Sequence, residues 1–385
     1  MAPAPLLPSL VLLLLCAPAL AQAGSLDAIP LKEFGHIMAH DAASGYLSKS
    51  APIRGEVVDW TKTQELPTNS MADLLNCGAR SFDWRPAWHD GKLVGHHGDI
   101  NVDHEFAESL AEIKGWADAN PEELVMMHIW DCASDDDAID CGAKVLEALA
   151  SLELPTVTSC APLVNVTLGE AKRMGKLSSG GTVLPVYADG GLCTAANYDE
   201  SIACWGSQSP FFTLRAASGA ADGAVSCIAA RGIDEAESYA SLGLAERVAV
   251  QECIDALPPA DQEHLQALFT YSCWVDGSSR DKPVNQMLAY LDGVATNGLA
   301  TALPLYQAQA LWEESTASVV IGELHLSSLL NDEVKSEMNK MVAGYIRDGR
   351  WANINQIELN NVCDAGPDVL AALQEFNEGH AAAKR

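Results

Sequence analysis

Five side chains suited to proton transfer and anion binding lie near the amino-terminal end of the chain, close to short apolar runs. His40 and Asp41 follow the first run. Asp83 and Arg85 follow residues 79–82 as if ending a second strand, and such a strand would place both on one face because side chains alternate. His97 lies further along. Active sites of parallel α/β barrels assemble where strands end, so we expect these residues to meet at such an edge.

Strands and helices alternate along the chain and must position these residues. The stretch 123–130 is nearly all apolar, as expected of a strand buried on both faces of a parallel sheet. Further strands are predicted over 182–187, 268–275, 318–322 and 353–359, and helices over 103–119, 137–152 and 331–348. This alternation indicates an α/β fold with a parallel sheet, either a closed barrel or an open doubly wound sheet. No GxGxxG or Walker A motif follows a predicted strand, which disfavours nucleotide binding.

Four blocks between residues 37 and 131 resemble the X-region of phosphatidylinositol-specific phospholipase C. They are His40-Asp41, GARSFDWRP at 78–86, LVGHHG at 93–98 and NPEELV at 120–125, in the order and spacing of the bacterial, metal-independent branch. The resemblance implies an irregular TIM-type (β/α) barrel. A single barrel domain is therefore expected over 24–385, with disulfide-stapled loop insertions and an insertion-like segment at about 216–259.

The resemblance also assigns a role to each residue of the group. His40 matches the general base, His97 the general acid, and Arg85 the arginine that binds the phosphate. Asp41 and Asp83 match the carboxylates that support them. Internal attack on a phosphodiester needs a base, an acid for the leaving alkoxide and a fixed cation, so the set suits cleavage of an inositol-type phosphodiester. The expected products are a cyclic phosphate and an alcohol such as diacylglycerol.

The resemblance implies no catalytic metal and no other cofactor. Calcium-dependent relatives hold the ion with acidic and amide oxygens, whereas here the guanidinium of Arg85 shares the strand face of Asp83. Two alternatives stay open. One is a metal-dependent phosphodiesterase of the glycerophosphodiester or sphingomyelinase D kind, and the other is a catalytically weak, secreted phosphoinositide-binding protein.

Other candidate residues come from later parts of the chain. The aspartate that steadies the base in bacterial relatives corresponds to Asn360, or else its role falls to Glu358. Further candidates for substrate binding lie at or near predicted strand ends, namely Asp131, Asp189, Trp274 and Glu323.

The charge of the chain limits its partners. There are 23 Lys+Arg against 52 Asp+Glu, which gives a formal net charge of −29, while 48% hydrophobic residues suffice for a packed core. Such a surface opposes nucleic acid and anionic bilayers, so we expect no nucleic acid partner and at most transient membrane contact. The resemblance implies a phosphodiester substrate, either phosphatidylinositol or a related lipid or a soluble head group.

The first 23 residues predict a signal peptide, with a short apolar run and small residues before Gly24. Its removal takes away Cys16 and leaves an even number of cysteines, none in a Cys-x-x-Cys pair. We therefore expect a secreted, extracellular protein with disulfide bonds. Asn165 heads the one N-glycosylation sequon.

Short-range pairs are the simplest disulfides to expect. Cys132 with Cys141 is one, and Cys193 with Cys204 is another. A further disulfide could staple the segment 216–259, which contains two cysteines.

Overall fold

The computed structural model describes residues 26–47, 62–97, 100–188, 193–196, 222–233, 244–257, 303–312 and 328–383, with a few single positions between 284 and 295. The strands, in chain order, are β1 His36–Ala39, β2 Ala79–Trp84, β3 Pro86–His89, β4 Lys92–His97, β5 Ile100–Glu105, β6 Val125–Ile129, β7 Ala133–Ser134, β8 Val183–Val186, β9 Thr194–Ala196, β10 Leu305–Ala310 and β11 Gln356–Leu359.

Seven of these strands form one parallel sheet in the order β8-β6-β2-β1-β11-β10-β9. Read around the sheet, this order follows the chain, as it does in a barrel and not in a doubly wound sheet. The predicted α/β fold is confirmed. In the described part of the chain the sheet is not closed, because no hydrogen-bonded pairing joins β8 to β9.

Side chains that meet across the interior show that the sheet is strongly curved. Gln356 of β11 lies 2.6 Å from Nε2 of His128 on β6, although β1 and β2 separate these strands in the sheet. Thr194 of β9 donates a hydrogen bond of 3.2 Å to Gln356 from the other side. The architecture is therefore barrel-like, with an opening between its two edge strands.

A disulfide crosses this opening. Val157 pairs with Val186 of β8, and Cys160, three residues later, is bonded to Cys193 immediately before β9. The bond ties the two edges of the sheet together where the described strands do not pair.

Helices cover the outside of the sheet. They are α1 Met71–Asn76, α2 Phe106–Ala119, α3 Cys141–Ser151, α4 Leu168–Met174, α5 Asp222–Ala230, α6 Leu244–Asp255, α7 Leu329–Ser336, α8 Met338–Arg347 and α9 Gly366–Ala383. Phe106, Leu110 and Ile113 of α2 recur on one helical face and are fully buried in the main core. Among the described residues, none of the helices has the length and apolar character needed to cross a bilayer.

The three predicted helices differ from the structure in their bounds, and the one expected over 137–152 begins only at Cys141, because Asp140 is its amino-terminal cap. The helix expected over 103–119 begins only at Phe106, because residues 100–105 pair with β4 as strand β5. The helix expected over 331–348 is divided into α7 and α8 at Glu337, whose φ of 55° is left-handed and incompatible with a continuing helix. The strands predicted over 268–275 and 318–322 lie outside the described residues, as do residues 1–23.

The disulfides confirm one predicted pairing and correct another. Cys132 is bonded to Cys141, as expected. Cys193 is bonded to Cys160, so the expected pair with Cys204 is wrong. Proximity in the fold, set by β8 and β9, decides this pairing in place of proximity in the sequence.

The segment expected at 216–259 contains α5 and α6, and Cys227 and Cys253 join these two helices. The predicted staple of this segment is confirmed. A fourth disulfide joins Cys77 to Cys363, 286 residues apart in the sequence.

Candidate active site

The ends of β1 and β2 place four of the predicted site residues side by side. His40 and Asp41 follow β1 directly, and Asp83 and Arg85 share the inward face at the end of β2 because side chains alternate along a strand. Asp41 has a left-handed φ of 40°, which turns the chain out of β1 into a short 3-10 helix, residues 42–46. The backbone N–H of Asp41 donates to Asp83 at 3.3 Å.

The hairpin formed by β3 and β4 brings His97 to the same place. Gly95 allows this close approach, because a Cβ at that position would overlap the side chain of Ala43 in the 3-10 helix. His97, the last residue of β4, then contacts the carboxylate of Asp41 through its Nδ1 atom.

Asp41 is the centre of the site. One of its oxygens lies 2.9 Å from Arg85 Nε in an ion pair, and the other contacts His97 Nδ1 and lies 3.6 Å from His40 Nε2. Burial opposes ionisation of this carboxyl group, but the neighbouring charges of Arg85, His40 and His97 outweigh it and hold the pKa of Asp41 well below its usual range. Asp41 is therefore a buried carboxylate that orients a cation and a histidine at once.

Arg85 is held on three sides. Besides Asp41, it pairs with Asp83 through Nη2 at 3.0 Å, and its guanidinium carbon lies 4.5 Å from the ring centre of Trp130. The indole N–H of Trp130 donates to the other oxygen of Asp83. These contacts fix the plane of the guanidinium, and its side chain is 18% exposed.

Trp130 is a site residue that sequence reasoning missed. It follows β6, and its side chain shares the inward face of His128, whereas the predicted candidate Asp131 comes one position later. Alternation along β6 was the signal that could have found it. Asp131 lies beside His96 instead, 4.0 Å from its Nε2 atom, with a side chain 56% exposed, and makes no described contact with Asp41 or Arg85.

The amide of Asn360 fixes the tautomer of His40. Its Nδ2 donates to the carbonyl oxygen of Trp312 at 2.6 Å, so its Oδ1 must face His40 and accept from Nδ1–H at 2.8 Å. In a neutral His40, Nε2 is consequently the proton acceptor, and this atom is directed to Asp41. Asn360 thus occupies the orienting position that the sequence had divided between Asn360 and Glu358.

Glu358 lies below the site, in the interior of the barrel. Its carboxylate accepts hydrogen bonds from Gln307 at 3.0 Å and Gln309 at 2.6 Å. Burial raises the pKa of Glu358 to about 7, against the lowering effect of His40. One ligand atom each of Glu358, His40 and Asp83 lie within 4.8 Å of one another, which is a spacing that could hold a metal ion.

A second polar layer, also missed by sequence reasoning, fills the barrel further down. The Nε2 atoms of His36 and His128 lie 3.2 and 2.6 Å from Nε2 of Gln356, and an amide nitrogen can only donate. Both imidazoles must therefore be neutral. Desolvation agrees, because it lowers the pKa of His36 to about 4 and of His128 to about 3.

The remaining predicted residues do not join the site. Asn165 is exposed on the surface with a left-handed φ of 60°, next to the amino-terminal cap of α4. Asp189, Trp274 and Glu323 lie outside the described residues.

The five residues of the site differ in solvent exposure, and this difference shows which side of the site faces solvent. His40, Asp41 and Asp83 are buried, with 2–3% of their surface exposed, whereas the side chains of Arg85 and His97 are 18% and 19% exposed. Arg85 and His97 therefore form the outer layer of the site, and His40 forms its floor.

No protein-family model and no curated protein matches this chain. Among solved structures, it is similar to a double variant of phosphatidylinositol-specific phospholipase C from Staphylococcus aureus, at 16% identity and a TM-score of 0.49, over 92% of this chain and 95% of that one. A single variant of the same enzyme gives 16% and 0.48, over 93% and 96%. The phosphatidylinositol-specific phospholipase C from Listeria monocytogenes gives 10% and 0.47, over 91% and 98%. At these identities, the geometry of the site itself has to carry any functional argument.

Proposed function

We propose that this protein is a metal-independent phosphodiesterase of the phosphatidylinositol-specific phospholipase C type, secreted as a single barrel domain. The observation that carries the proposal is the convergence of two histidines and one arginine on the carboxylate of Asp41. Such a set supplies a base, an acid and a fixed cation within one site, which is what internal cleavage of a phosphodiester requires.

Each residue has a defined task in this proposal. His40, its Nδ1–H held by Asn360, takes the proton of the substrate hydroxyl at Nε2, and the resulting alkoxide attacks the phosphorus. Arg85 binds the phosphate oxygens and stabilises the charge that develops on them. His97, oriented through Nδ1 by Asp41, donates a proton to the leaving oxygen. A second step that opens the cyclic phosphate with water would use the same two histidines with their roles reversed.

The charges of the site favour one protonation state. Asp41 and Asp83 carry two negative charges and Arg85 carries one positive charge, so the cluster repels a phosphodiester anion while both histidines are neutral. A proton on one histidine brings these four groups to neutrality, and it also supplies the acid that the leaving group needs. Substrate binding is therefore expected to favour the form with one protonated histidine.

We favour a substrate that carries an inositol-type head group. It is either a small soluble molecule or a lipid whose head group is exposed to solvent. The net charge of −29 gives the protein no general attraction to an anionic bilayer. Cleavage of phosphatidylinositol in vesicles should consequently slow as the negative charge of the vesicle surface increases. Cleavage of soluble glycerophosphoinositol should depend less on that charge.

The test is the conversion of phosphatidylinositol in neutral detergent micelles, followed by phosphorus NMR in the presence of a chelator. The wild type should release a cyclic inositol phosphate. His40→Asn and His97→Asn should each lower the rate by about 10²–10⁴-fold. His89→Asn, at the half-buried end of β3, is the matched control and should keep the wild-type rate. The proposal fails if both site variants keep that rate or if no cyclic phosphate forms.

A second candidate function rests on the spacing of Glu358, His40 and Asp83, which could hold a divalent ion. A metal-dependent phosphodiesterase would then use the ion to polarise the phosphate. The same assay separates the two functions, because chelation would abolish activity and added magnesium or calcium would restore it. The guanidinium of Arg85 beside Asp83 opposes an ion there, which is why we place this function second.

A further inference from the structure

The peptide group that joins His40 to Asp41 has to be held in one orientation for the site to form. Asp41 has a left-handed φ of 40°, and rotation about that bond moves this peptide relative to the carboxylate of Asp41. Residues other than glycine adopt a left-handed φ at a cost, so the surrounding structure must hold Asp41 there.

Two buried side chains of one segment hold the carbonyl oxygen of this peptide. Thr63 Oγ1 donates to the carbonyl oxygen of His40 at 2.9 Å, and Gln64 Nε2 donates to the same oxygen, also at 2.9 Å. Both residues are fully buried. The N–H at the other end of the peptide, which belongs to Asp41, donates to Asp83. The peptide is thus held at both of its ends.

The hydrogen bonds around Thr63 assign the proton of its hydroxyl group. Its backbone N–H donates to Ser44 Oγ at 3.0 Å, and the two hydroxyl oxygens lie 2.7 Å apart. The carbonyl oxygens of His40 and Asp41 lie 2.9 and 3.3 Å from Thr63 Oγ1, and a carbonyl can only accept. The Thr63 proton is therefore directed to these carbonyls, and Ser44 donates its own proton to Thr63. This hydroxyl links the turn at Asp41 to the 3-10 helix that follows it.

The amide of Gln64 links the same peptide to β11. Its Nε2 donates to the carbonyl oxygen of Leu359 at 2.8 Å, and its Oε1 accepts from the backbone N–H of Val362 at 3.1 Å, so the orientation of the amide is fixed. Leu359 ends β11 and precedes Asn360, which orients the ring of His40. Gln64 therefore connects the proposed base to the strand that orients it.

We propose, building on the phosphodiesterase function above, that Thr63 and Gln64 are positioning residues that fix the peptide between His40 and Asp41. They thereby set the direction of the His40 ring and of the Asp41 carboxylate. Asp41 in turn contacts Arg85 and His97, so rotation of this peptide would displace the base, the cation and the acid together. A misplacement of about 1 Å in such a set can lower the rate by about 10²-fold.

Exchange of the Asp41 amide hydrogen with water, followed by NMR in the full chain, tests this support directly. Thr63→Val removes the hydroxyl at nearly the same volume. It should speed this exchange by about tenfold relative to the amide of His36, which donates to Asn355 at the other end of β1. Thr63→Ser keeps the hydroxyl and should leave the ratio of the two exchange rates at its wild-type value. A general loss of stability would accelerate both amides alike, so an unchanged ratio in Thr63→Val overturns the proposal.

The kinetic test uses the micelle assay described above. Thr63→Val should lower kcat by about tenfold or more and change KM by less than about twofold, whereas Thr63→Ser should keep the wild-type kcat. Thr156→Val is the matched control, because the Thr156 hydroxyl also donates to a backbone carbonyl, that of Leu154 at 3.1 Å in the loop after α3. This control should keep the wild-type kcat. A wild-type kcat in Thr63→Val overturns the proposal.

Gln64→Met provides an independent variant in case Thr63→Val does not fold. It removes the second donor to the His40 carbonyl at a similar side-chain length, and it should raise the same exchange ratio by about tenfold. An unchanged ratio in this variant overturns the proposal as well. The exchange measurement needs no substrate. An inactive wild type would therefore refute the phosphodiesterase function, while the exchange ratio would still decide whether Thr63 and Gln64 hold this peptide.

Discussion

Acidification should destabilise this protein through the buried layer formed by His36, His128 and Gln356. Gln356 donates to both imidazoles, so neither can take up a proton at Nε2 without losing its hydrogen bond. Nδ1 of His36 is already committed to the carbonyl oxygen of Phe34 at 3.1 Å. A proton on either ring would therefore be a buried charge without a new partner.

The size of the effect follows from the lowered pKa values. The pKa of His36 falls from 6.5 to about 4 and that of His128 to about 3, because burial disfavours the charged form. Above pH 6.5 both histidines are neutral in the folded and unfolded states and contribute no pH dependence. Below pH 6.5 the unfolded chain binds protons that the folded protein does not. The free energy of unfolding therefore decreases as the pH is lowered, until the pH reaches the pKa values of the folded protein. One pKa unit corresponds to about 1.36 kcal/mol, so each histidine should cost about 2 kcal/mol between pH 7 and pH 5.

The assay is urea unfolding with the disulfides intact, at pH 7, 6 and 5, on the wild type and on His128→Gln. A glutamine there keeps an acceptor for Gln356 but cannot titrate. Stability lost between pH 7 and pH 5 should be about 2 kcal/mol smaller in the variant than in the wild type. Carboxylates that titrate in this range contribute equally to both proteins and cancel in the difference.

His380→Gln, which lies on α9 away from the layer, is the matched control and should leave the loss at its wild-type size. If His128→Gln loses as much stability on acidification as the wild type, then the layer does not hold His128 neutral and the argument from Gln356 is wrong.

The remaining predictions concern the site, the disulfides and the surface. Arg85→Lys should lower kcat by about 10²-fold or more in the micelle assay, because an ammonium cannot keep the planar contacts with two carboxylates; wild-type activity would refute the role of the guanidinium. Asp41→Asn should lower kcat by about 10²–10³-fold with little change in fold by circular dichroism, and an equal loss of structure would contradict a role in the site. Replacing Cys77 and Cys363 together by Ser should lower the free energy of unfolding by about 5 kcal/mol, since this bond closes the longest loop among the described disulfides; a loss below about 1 kcal/mol would contradict that reasoning. Expressed in a secreting eukaryotic cell, the protein should carry a glycan that Asn165→Gln removes, as seen by intact mass; an unmodified wild type would refute the sequon.

The α/β fold and the meeting of the candidate residues at neighbouring strand ends could be predicted because both are encoded locally. Apolar runs separated by helical periodicity indicate a parallel sheet, and residues that follow such runs come together at one edge of it. His40, Asp41, Asp83 and Arg85 follow this rule, since β1 and β2 are neighbours in the sheet. Cys132 and Cys141 could be paired for the same reason, because only a short loop separates them.

Features that depend on contacts between distant strands were harder to predict from the sequence. Trp130 was passed over in favour of its neighbour Asp131 because the exact end of β6, and hence which side chain turns inward, depends on pairing with β2. The pairing of Cys193 with Cys160 depends on where β8 and β9 lie, and no sequence spacing records that.

By itself, the sequence determined which chemical groups this protein possesses and on which strand ends they lie, because strand periodicity and residue type are local properties. Tertiary structure alone decided how those groups are charged and oriented. Asn360 holds His40 across 320 residues of sequence, Gln356 keeps two buried histidines neutral, and burial sets the pKa of Glu358. Solvation and hydrogen bonding in the barrel interior depend on every strand that lines it, and therefore exist only once the chain has folded.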